Sequence, residues 1–351
     1  MLSLRPVSYE EFDEFALKHP KGNFHQTSHM SKLRELMGWD VHSLMVFEDK
    51  TPVGALLLAG KGRRYEVTMG PLFDFSNKQT AKQFLDVLCQ YAKGQKAVLL
   101  EIYPYELYQI RDSSGKVLEK RDGDDVVATL VDMGWQHKGY TVDYDIAANR
   151  WVFVKDLAGL SSETELLASY RQTTRQTIRK LNSANYSVRK MKYDELSIVQ
   201  TIIDSSNEKN SVATRPLEYY ERLFTAFGDD VEFLVVYYEE KTPLSAGIFI
   251  KHPNEMVYFM SGADTRYRHL YGGHFLQHHV MLRCIEEGTS RYNFYGVSGH
   301  FTNNPLLVYK AGFRGSVEEY VGGFTKTLFP GAKLLLEAGR AAGKMKRLVR
   351  S

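Results

Sequence analysis

Apolar and polar residues alternate with a period of two in two separate stretches of the chain, and the same tight turn interrupts both stretches. In the first, the runs VHSLMVF and VGALLLAGK flank Lys50-Thr51-Pro52, and RYEVTMGP follows. In the second, VEFLVVYY and LSAGIFIKH flank Lys241-Thr242-Pro243, and NEMVYFMSGAD follows. Such alternation predicts half-buried strands, and Pro with polar neighbours is ordinary turn chemistry. Each stretch is therefore predicted to form a three-stranded antiparallel meander.

The elements after each meander also repeat in order. Helical periodicity appears in TAKQFLDVLCQYAK and in GGHFLQHHVMLRCIEEG, followed by the strand-like AVLLEIYP and RYNFYGV. Each half then reaches a Gly-aromatic turn, at Gly134 and at Gly312. A single matching turn can arise by chance, whereas several matching turns, helices and strands in the same order favour duplication of one unit. We predict an α+β protein with two tandem copies of one fold, each with a mixed sheet.

Length and composition fit a globular protein of two domains. The chain has 351 residues, 43% of them hydrophobic, and its aromatic content excludes disorder and low complexity. A net charge of +3 excludes nucleic-acid binding driven by overall charge, so any basic site must be local. The start MLSLRPVSYEEFDEF does not have the pattern of a signal peptide, and no run approaches the ~20 apolar residues of a membrane span. A cytoplasmic location is expected.

Several simple chemistries do not fit the sequence. Cys89 and Cys284 are far apart and suggest neither a disulfide framework nor a zinc cluster. His274 and His278 have helical i,i+4 spacing, but no third ligand is evident, so we expect a structural or surface pair. The run 296–300, GVSGH, lacks the last glycine of a nucleophile elbow, which argues against a serine hydrolase. No metal and no cofactor is predicted.

The segment NNPLLVYKAGFRG, a helix with a Tyr-Lys-x-Gly-Phe turn before a last strand, resembles the closing part of GNAT-type acyltransferases. A tandem pair of such folds in a chain of this length resembles the Fem family. The resemblance extends over nearly the whole chain and is carried by GNFHQTSHMSKLRELMGWD, SYRQTTRQTIRK, ATRPLEYYERLF, VVYYEEKTPLSAGIFI, YFMSGAD, YNFYGV and LLVYKAGF.

This resemblance implies both an architecture and an activity. Residues 1–150 and 151–319 would form two GNAT-like domains, with 320–351 packing back on the first. Fem proteins transfer an amino acid from aminoacyl-tRNA to the stem-peptide amine of a peptidoglycan precursor, UDP-MurNAc-pentapeptide or lipid II. Aminoacyl-tRNA and one of these precursors are the implied partners. A coenzyme A-dependent GNAT-type N-acyltransferase and a non-catalytic RNA-binding module remain as alternatives.

The sequence departs from the family and fold patterns at three places. Many Fem members insert a long helical arm between the strands that here flank Lys241-Thr242, so this chain resembles the armless members. Tyr103 stands where some members carry an acidic residue before proline, and Glu101 faces the same side only if the strand is regular. The segment 268–273, RHLYGG, matches the GNAT pyrophosphate signature poorly, which argues against coenzyme A.

The resemblance also assigns site residues. Lys310 matches a lysine that would meet the RNA end or the developing oxyanion, because an ammonium is a compact charge with several donors. Arg34 and Arg215 would hold the diphosphate of the precursor through guanidinium forks. Alternatively, Lys310 is a solvated lysine, and Arg215 begins a helix with Thr214 as its N-cap. The remaining substrate-binding residues are expected to be Lys32, Trp39, Tyr103, Tyr219 and Tyr258, the last two of which could equally be core aromatics.

Two basic segments suggest further contacts. Arginines recur every four residues in the middle of the chain and would share one helical face, which repels itself unless an anion meets it. A tRNA acceptor stem is the expected partner of this stripe, and a solvated face is the alternative. Its members are Arg171, Arg175, Arg179 and Lys180. The final run LLLEAGRAAGKMKRLVR predicts a basic amphipathic helix that would either contact the inner face of the membrane or dock on the first domain.

Overall fold

The computed structural model describes residues 2–144, 147–181, 185–209, 212–253 and 255–329. Its strands are β1 (Leu2–Pro6), β2 (Asp40–Glu48), β3 (Thr51–Lys61), β4 (Arg64–Thr68), β5 (Leu99–Tyr103), β6 (Leu107–Arg111), β7 (Val117–Lys120), β8 (Gln136–His137), β9 (Trp151–Asp156), β10 (Tyr186–Lys190), β11 (Val231–Tyr238), β12 (Thr242–His252), β13 (Glu255–Ala263), β14 (Arg291–Gly296), β15 (Ser316–Tyr320) and β16 (Phe324–Thr327).

The helices lie between and around these strands. They are α1 (Tyr9–Ala16), α2 (Ser28–Leu36), α3 (Lys78–Gly94), α4 (Gly123–Asp132), α5 (Glu163–Ala168), α6 (Gln172–Leu181), α7 (Leu196–Lys209), α8 (Leu217–Phe227), α9 (Gly272–Glu286) and α10 (Pro305–Ala311). The final amphipathic segment predicted from the sequence lies outside the described residues.

The strands form two mixed sheets. The first has the order β1-β2-β3-β4-β5-β16-β8 and the second the order β10-β11-β12-β13-β14-β9-β15-β6-β7. One neighbouring pair in each sheet is parallel, β4 with β5 and β13 with β14. Mixed sheets with helices on their faces make this an α+β protein, as predicted.

The two predicted meanders are present, and they share local detail. β2, β3 and β4 pair antiparallel in succession, as do β11, β12 and β13. The register shifts between Val46 and Phe47 in one copy and between Val236 and Tyr237 in the other, just before each turn. Residues 239–241 alone connect β11 to β12, so the chain has no helical arm at this position.

Each half of the chain contributes strands to the sheet of the other half. The hairpin β6–β7 lies within the predicted first domain, but β6 pairs with β15 at the end of the second sheet. Conversely, β16 pairs with β5 and β8 of the first sheet. The two sheets therefore do not divide at residue 150. The position of a hairpin in the sequence does not decide which sheet it joins, because that depends on the strand beside which it packs.

A shared apolar core joins the halves. It contains side chains from α1, α2, α7 and α8 together with strands of both sheets, for example Phe12, Leu33, Leu57, Leu223 and Ile248. Helix α2 packs against α8 across this core. Two units that bury a large apolar surface between them are held rigidly against each other.

The parallel pairs differ between the two sheets. β4 and β5 stay in register over Arg64–Thr68 and Leu99–Tyr103. β13 and β14 pair only at Met256 with Tyr292 and at Val257 with Asn293. The last residues of β14 therefore have carbonyl groups that β13 does not use, and these must find other partners.

Candidate active site

The halves meet around Tyr295, at the end of β14. Its hydroxyl lies 3.1 Å from Nε2 of His25, which stands in the loop before α2. Phe24 packs edge-on against the Tyr295 ring, with 5.7 Å between ring centroids, and against Phe259 at 5.6 Å. Burial raises the pKa of the Tyr295 hydroxyl and lowers the pKa of His25 to about 3, so both are neutral. We call the region around Tyr295 the junction.

Arg34 reaches the junction from α2. Thr27 caps this helix by accepting a bond from the amide of Met30 at 3.3 Å, which fixes where the helix starts. The Arg34 guanidinium donates to Oε1 of Glu66 at 3.2 Å and to Oγ1 of Thr68 at 2.7 Å. Its side chain is only 12% exposed, and burial lowers its pKa. The predicted anion-binding residue Arg34 therefore already forms an ion pair with a carboxylate.

A row of alternating charges continues from Arg34 across β4 and β5. Glu66 lies opposite Glu101 in the parallel register, and each of these two carboxylates contacts a cation. Arg64 contacts Glu101, and Lys138 Nζ lies 3.0 Å from Oε1 of the same residue. The row carries three positive and two negative charges. It keeps one positive charge in excess, which suits an anion on this face.

Tyr103 ends the same row. Lys138 Nζ donates to its hydroxyl and lies 4.7 Å from the centre of its ring. Because Lys138 contacts both Glu101 and Tyr103, these side chains face the same side, as expected for a regular strand. Sequence reasoning missed Lys138, which follows β8 far from either partner in sequence.

Arg215 approaches from the other half. Its guanidinium lies 4.4 Å above the ring of Tyr219, and its side chain is exposed. Helix α8 starts at Leu217 with Pro216 in the cap position, so the predicted N-cap role of Thr214 is wrong. Burial raises the pKa of Tyr219, which takes part in the shared core.

Both basic positions are linked to Tyr295, Arg34 directly and Arg215 through Tyr219. Arg34 and Tyr219 both sit near enough to perturb the Tyr295 hydroxyl electrostatically, although burial is the main reason for its raised pKa. Arg215 stacks on Tyr219 and therefore lies in the same region as this ring. The fold thus brings Arg34 and Arg215 from separate halves to one region.

Lys310 is buried behind the junction. Helix α10 starts at Pro305, after Asn304 accepts a bond from the amide of Leu307 at 3.0 Å. From the last turn, Lys310 Nζ donates to the carbonyl oxygens of Phe294 and Gly296, both at 2.7 Å, and to that of Tyr295 at 3.4 Å.

These carbonyls belong to the part of β14 that β13 leaves unpaired. Lys310 is 4% exposed, so it is not the solvated lysine considered above. Burial lowers the pKa of its ammonium to about 7. The side chain therefore fixes the backbone that presents Tyr295, and it can exchange a proton near neutral pH.

The other predicted substrate residues are dispersed. Trp39 lies under the Arg34 guanidinium, 5.1 Å from its carbon to the ring centre. Lys32 is exposed and lies over the ring of Tyr9 at 5.8 Å, because residues two apart on a helix point in different directions. Tyr258 is buried in the core of the second half, stacked on Phe249 at 5.2 Å. The structure places Tyr258 as a core aromatic rather than at the junction.

The basic stripe lies beside α10. The amide of Arg171 donates to the carbonyl of Gly312 at 3.0 Å, and its guanidinium donates to Ser113 at 2.8 Å. Gly312 fits closely here, because a Cβ atom on it would lie 2.5 Å from Oγ1 of Thr174. Arg175 is half-buried, and the remaining stripe residues on α6, Arg179 and Lys180, are exposed. A positive helix thus borders the helix that carries Lys310.

A separate cavity of about 880 Å³ is lined by residues of both halves. At its floor Arg291 donates to Glu318 at 2.7 and 2.6 Å and to Glu255 at 2.9 Å. The whole lining contains five Lys or Arg side chains and six carboxylates, so the cavity has no excess positive charge to offer a diphosphate. Arg34 and Arg215 do not line this cavity.

Two further features of the described residues are the grouping of potential metal ligands and the character of the helices with respect to a membrane. Within them, no three His, Cys, Asp or Glu side chains are grouped to hold a metal ion. His278 bonds instead to the Tyr170 hydroxyl at 3.1 Å and to Glu163 at 3.2 Å. None of the described helices combines the length and apolar character needed to cross a bilayer.

Comparison with known proteins gives consistent results. A profile of the FemAB family matches residues 7–241 and 236–337, two ranges that meet at the β11–β12 turn. Aminoacyltransferase FemA of Staphylococcus epidermidis is 23% identical, with 92% of this chain and 95% of the relative covered. FemA of Staphylococcus aureus is 22% identical, with 92% and 94% covered.

Solved structures show the same architecture. The crystal structure of FemX superposes with a TM-score of 0.77 at 18% identity, covering 92% of this chain and 96% of FemX. A tandem GNAT protein from the clavulanic acid biosynthesis pathway has a TM-score of 0.57 at 13% identity, covering 94% and 100%. These likenesses establish two GNAT-like units in tandem.

Proposed function

Because the chain belongs to the FemAB family, we propose that it is an aminoacyltransferase that moves an amino acid from aminoacyl-tRNA to the stem-peptide amine of a peptidoglycan precursor. The observation that supports this proposal beyond the family is that Arg34 lies near Tyr295 from one half of the chain, while Arg215 from the other half stacks on Tyr219, which is also near Tyr295. Cations from two halves can hold the two phosphates of one diphosphate, whereas either alone is a common surface feature. The enzyme acts in the cytoplasm, where aminoacyl-tRNA is found.

The reaction needs positioning more than a nucleophilic residue. The acceptor amine attacks the ester carbonyl, a C–N bond forms, and the C–O bond to the ribose breaks. The amine loses a proton and the ribose oxygen gains one. The ester is already activated, so holding its carbonyl beside the amine supplies much of the rate. Donors near the developing oxyanion supply more.

The residues divide between the two substrates. Arg34, with Trp39 beneath it, and Arg215, with Tyr219 beneath it, hold the acceptor from the two halves of the chain. The row that ends at Tyr103 lines the acceptor face of the first sheet. Tyr103 replaces the acidic residue of other members, so a carboxylate at that position is not the base here.

The RNA approaches from the side of α10. The stripe on α6 contacts acceptor-stem phosphates, and its contact with Gly312 places it next to the helix of Lys310. Lys310 holds the end of β14 against the esterified RNA end. Its low pKa also gives it a role in passing the proton to the ribose.

A mass assay tests the proposal. The protein is incubated with a mixture of charged tRNAs and with nucleotide-linked or lipid-linked precursor, and the precursor is weighed. We expect a rise by one amino-acid residue with at least one acceptor, and a large loss of this product with Arg34→Met. Lys32→Met is the matched control, because Lys32 lies on the same helix but points away from Arg34. An unchanged precursor mass in every mixture contradicts the proposal.

One observation favours the coenzyme A alternative. β13 and β14 separate after two pairs, and such a gap receives the acyl donor in GNAT-type enzymes. Thermal unfolding separates the donors, since a ligand that binds only the folded state raises the midpoint. We expect protection by aminoacyl-tRNA and none by acetyl coenzyme A, and the reverse result would favour the alternative.

A further inference from the structure

One edge of the first half carries a cluster of exposed cations that the proposed site does not use. It consists of Lys61 at the end of β3, Arg63 in the β3–β4 turn, Lys93 in the last turn of α3 and Lys96 just after that helix, and we call it the basic rim. Arg63 Nε donates to the carbonyl of Lys96 at 3.2 Å, and the Arg63 carbonyl accepts from Val98 at 2.7 Å. The turn and the helix end are therefore fixed side by side.

Few negative charges oppose the basic rim. Asp40 pairs in register with Gly60 at the same edge, but its carboxylate already accepts from the Tyr65 hydroxyl and lies 3.3 Å from His42. Glu101 is buried between Arg64 and Lys138. The four cations of the rim thus keep their charge toward solvent.

Apolar and aromatic groups border the rim on the side of the junction. Lys61 Nζ lies 5.7 Å from the centre of the Trp39 ring, whose other contact is the Arg34 guanidinium. Leu36, three residues earlier, is 45% exposed. Tryptophan, an exposed leucine and several flexible cations together are the composition of a surface that rests at a lipid–water interface.

We propose that the basic rim, with Trp39 and Leu36, docks the protein on an anionic lipid surface. The position of the rim supports a membrane rather than RNA. The stripe on α6 already borders the helix of Lys310 in the second half, whereas the rim borders Arg34 in the first. A lipid-linked diphosphate held at Arg34 would have its hydrocarbon chain beside Trp39. This last consequence rests on the proposed function, but membrane docking itself does not.

Vesicle binding by matched variants tests the proposal. Full-length protein is sedimented with vesicles of phosphatidylglycerol and phosphatidylcholine in equal parts, and with phosphatidylcholine alone. The rim variant is Arg63→Gln/Lys93→Gln/Lys96→Gln, and the control is Arg171→Gln/Arg175→Gln/Arg179→Gln. Both remove three positive charges, and all six positions are at least partly exposed, so both chains should fold.

The expected result is specific to the rim. Each basic side chain near an anionic surface strengthens binding about fivefold, so the rim variant should lose roughly 100-fold in partitioning to the anionic vesicles. The control should keep wild-type vesicle binding and lose affinity for uncharged tRNA. Equal loss of vesicle binding in both variants, or loss of tRNA binding in place of vesicle binding in the rim variant, would overturn the proposal.

A transfer assay separates this inference from the proposed function. With a soluble nucleotide-linked acceptor, the rim variant should transfer at the wild-type rate, and with the lipid-linked acceptor in vesicles it should be slower. If no acceptor gains mass while vesicle binding still depends on the rim, the proposed function fails and the docking surface stands. If transfer occurs but the rim variant binds vesicles as the wild type does, the docking surface fails alone.

Discussion

Replacing Lys310 by methionine removes a buried titratable group without removing much volume, and its effect on stability should depend on pH. The folded-state pKa is lowered to about 7 by burial, whereas an unfolded lysine has the ordinary value of about 10.4. Between these values the unfolded chain binds a proton that the folded chain does not. The free energy of unfolding therefore rises with pH across this window, and the gain is absent below it.

The magnitude follows from the two pKa values. Between pH 7 and pH 9 the wild-type chain should gain about 2 kcal/mol from this one group. Lys310→Met loses this gain, so the stability difference between wild type and variant should grow by the same amount. At pH 7 the variant also leaves the carbonyls of Phe294 and Gly296 without their donor, which costs about 1–3 kcal/mol for each.

Urea unfolding at both pH values, followed by tryptophan fluorescence, measures this difference. Leu307→Ala is the control on the same helix, because it costs about 3 kcal/mol through a cavity and adds no titration. Its stability difference from wild type should be the same at pH 7 and pH 9. A constant difference for Lys310→Met as well would refute the reasoning, since it would mean that the three carbonyls keep the ammonium charged despite burial.

Three further predictions concern other parts of the site. Arg215→Ala should change the free energy of unfolding by less than about 0.5 kcal/mol, because the side chain is exposed, yet raise the KM for the acceptor; an unchanged KM would exclude it from binding. Lys138→Met should destabilise the fold by about 3 kcal/mol in urea unfolding, since Glu101 loses one of its two cationic partners among the described residues, and restored stability in Lys138→Met/Glu101→Gln would confirm the charge as the cause. Removing Arg171, Arg175 and Arg179 together should make the negative slope of log affinity for tRNA against log salt shallower by about 2–3, and an unchanged slope would mean that the RNA binds elsewhere.

The strands and turns of the fold could be predicted from the sequence. Alternating apolar residues around each Lys-Thr-Pro turn gave both meanders, and the short 239–241 turn gave the armless form. Strand alternation put Glu101 and Tyr103 on one face only on the condition of a regular strand, and Lys138 contacts both side chains of β5. These features depend on neighbours in sequence, so a periodic pattern contains the information.

The charge environment of the site could not be predicted in the same way. Arg34 was identified as a cation, but its partner Glu66 lies on β4 and is brought to it only by helix packing. Lys138 reaches Glu101 because β16 pairs with β8 and β5. The sequence of β4 offered a clue, because Arg64, Glu66 and Thr68 alternate with apolar residues and therefore share one face, the face that meets Arg34 of α2.

The sequence by itself therefore determined the elements, the duplication and the family, because strand alternation, turn residues and helix periodicity act over a few positions. Only the tertiary structure decided which charges remain available. It buried Lys310 against the unpaired carbonyls of β14, placed Tyr258 in a core, and linked Arg34 directly, and Arg215 through Tyr219, to Tyr295. Burial and pairing depend on contacts between residues far apart in the chain, and those contacts exist only after the two sheets have packed together.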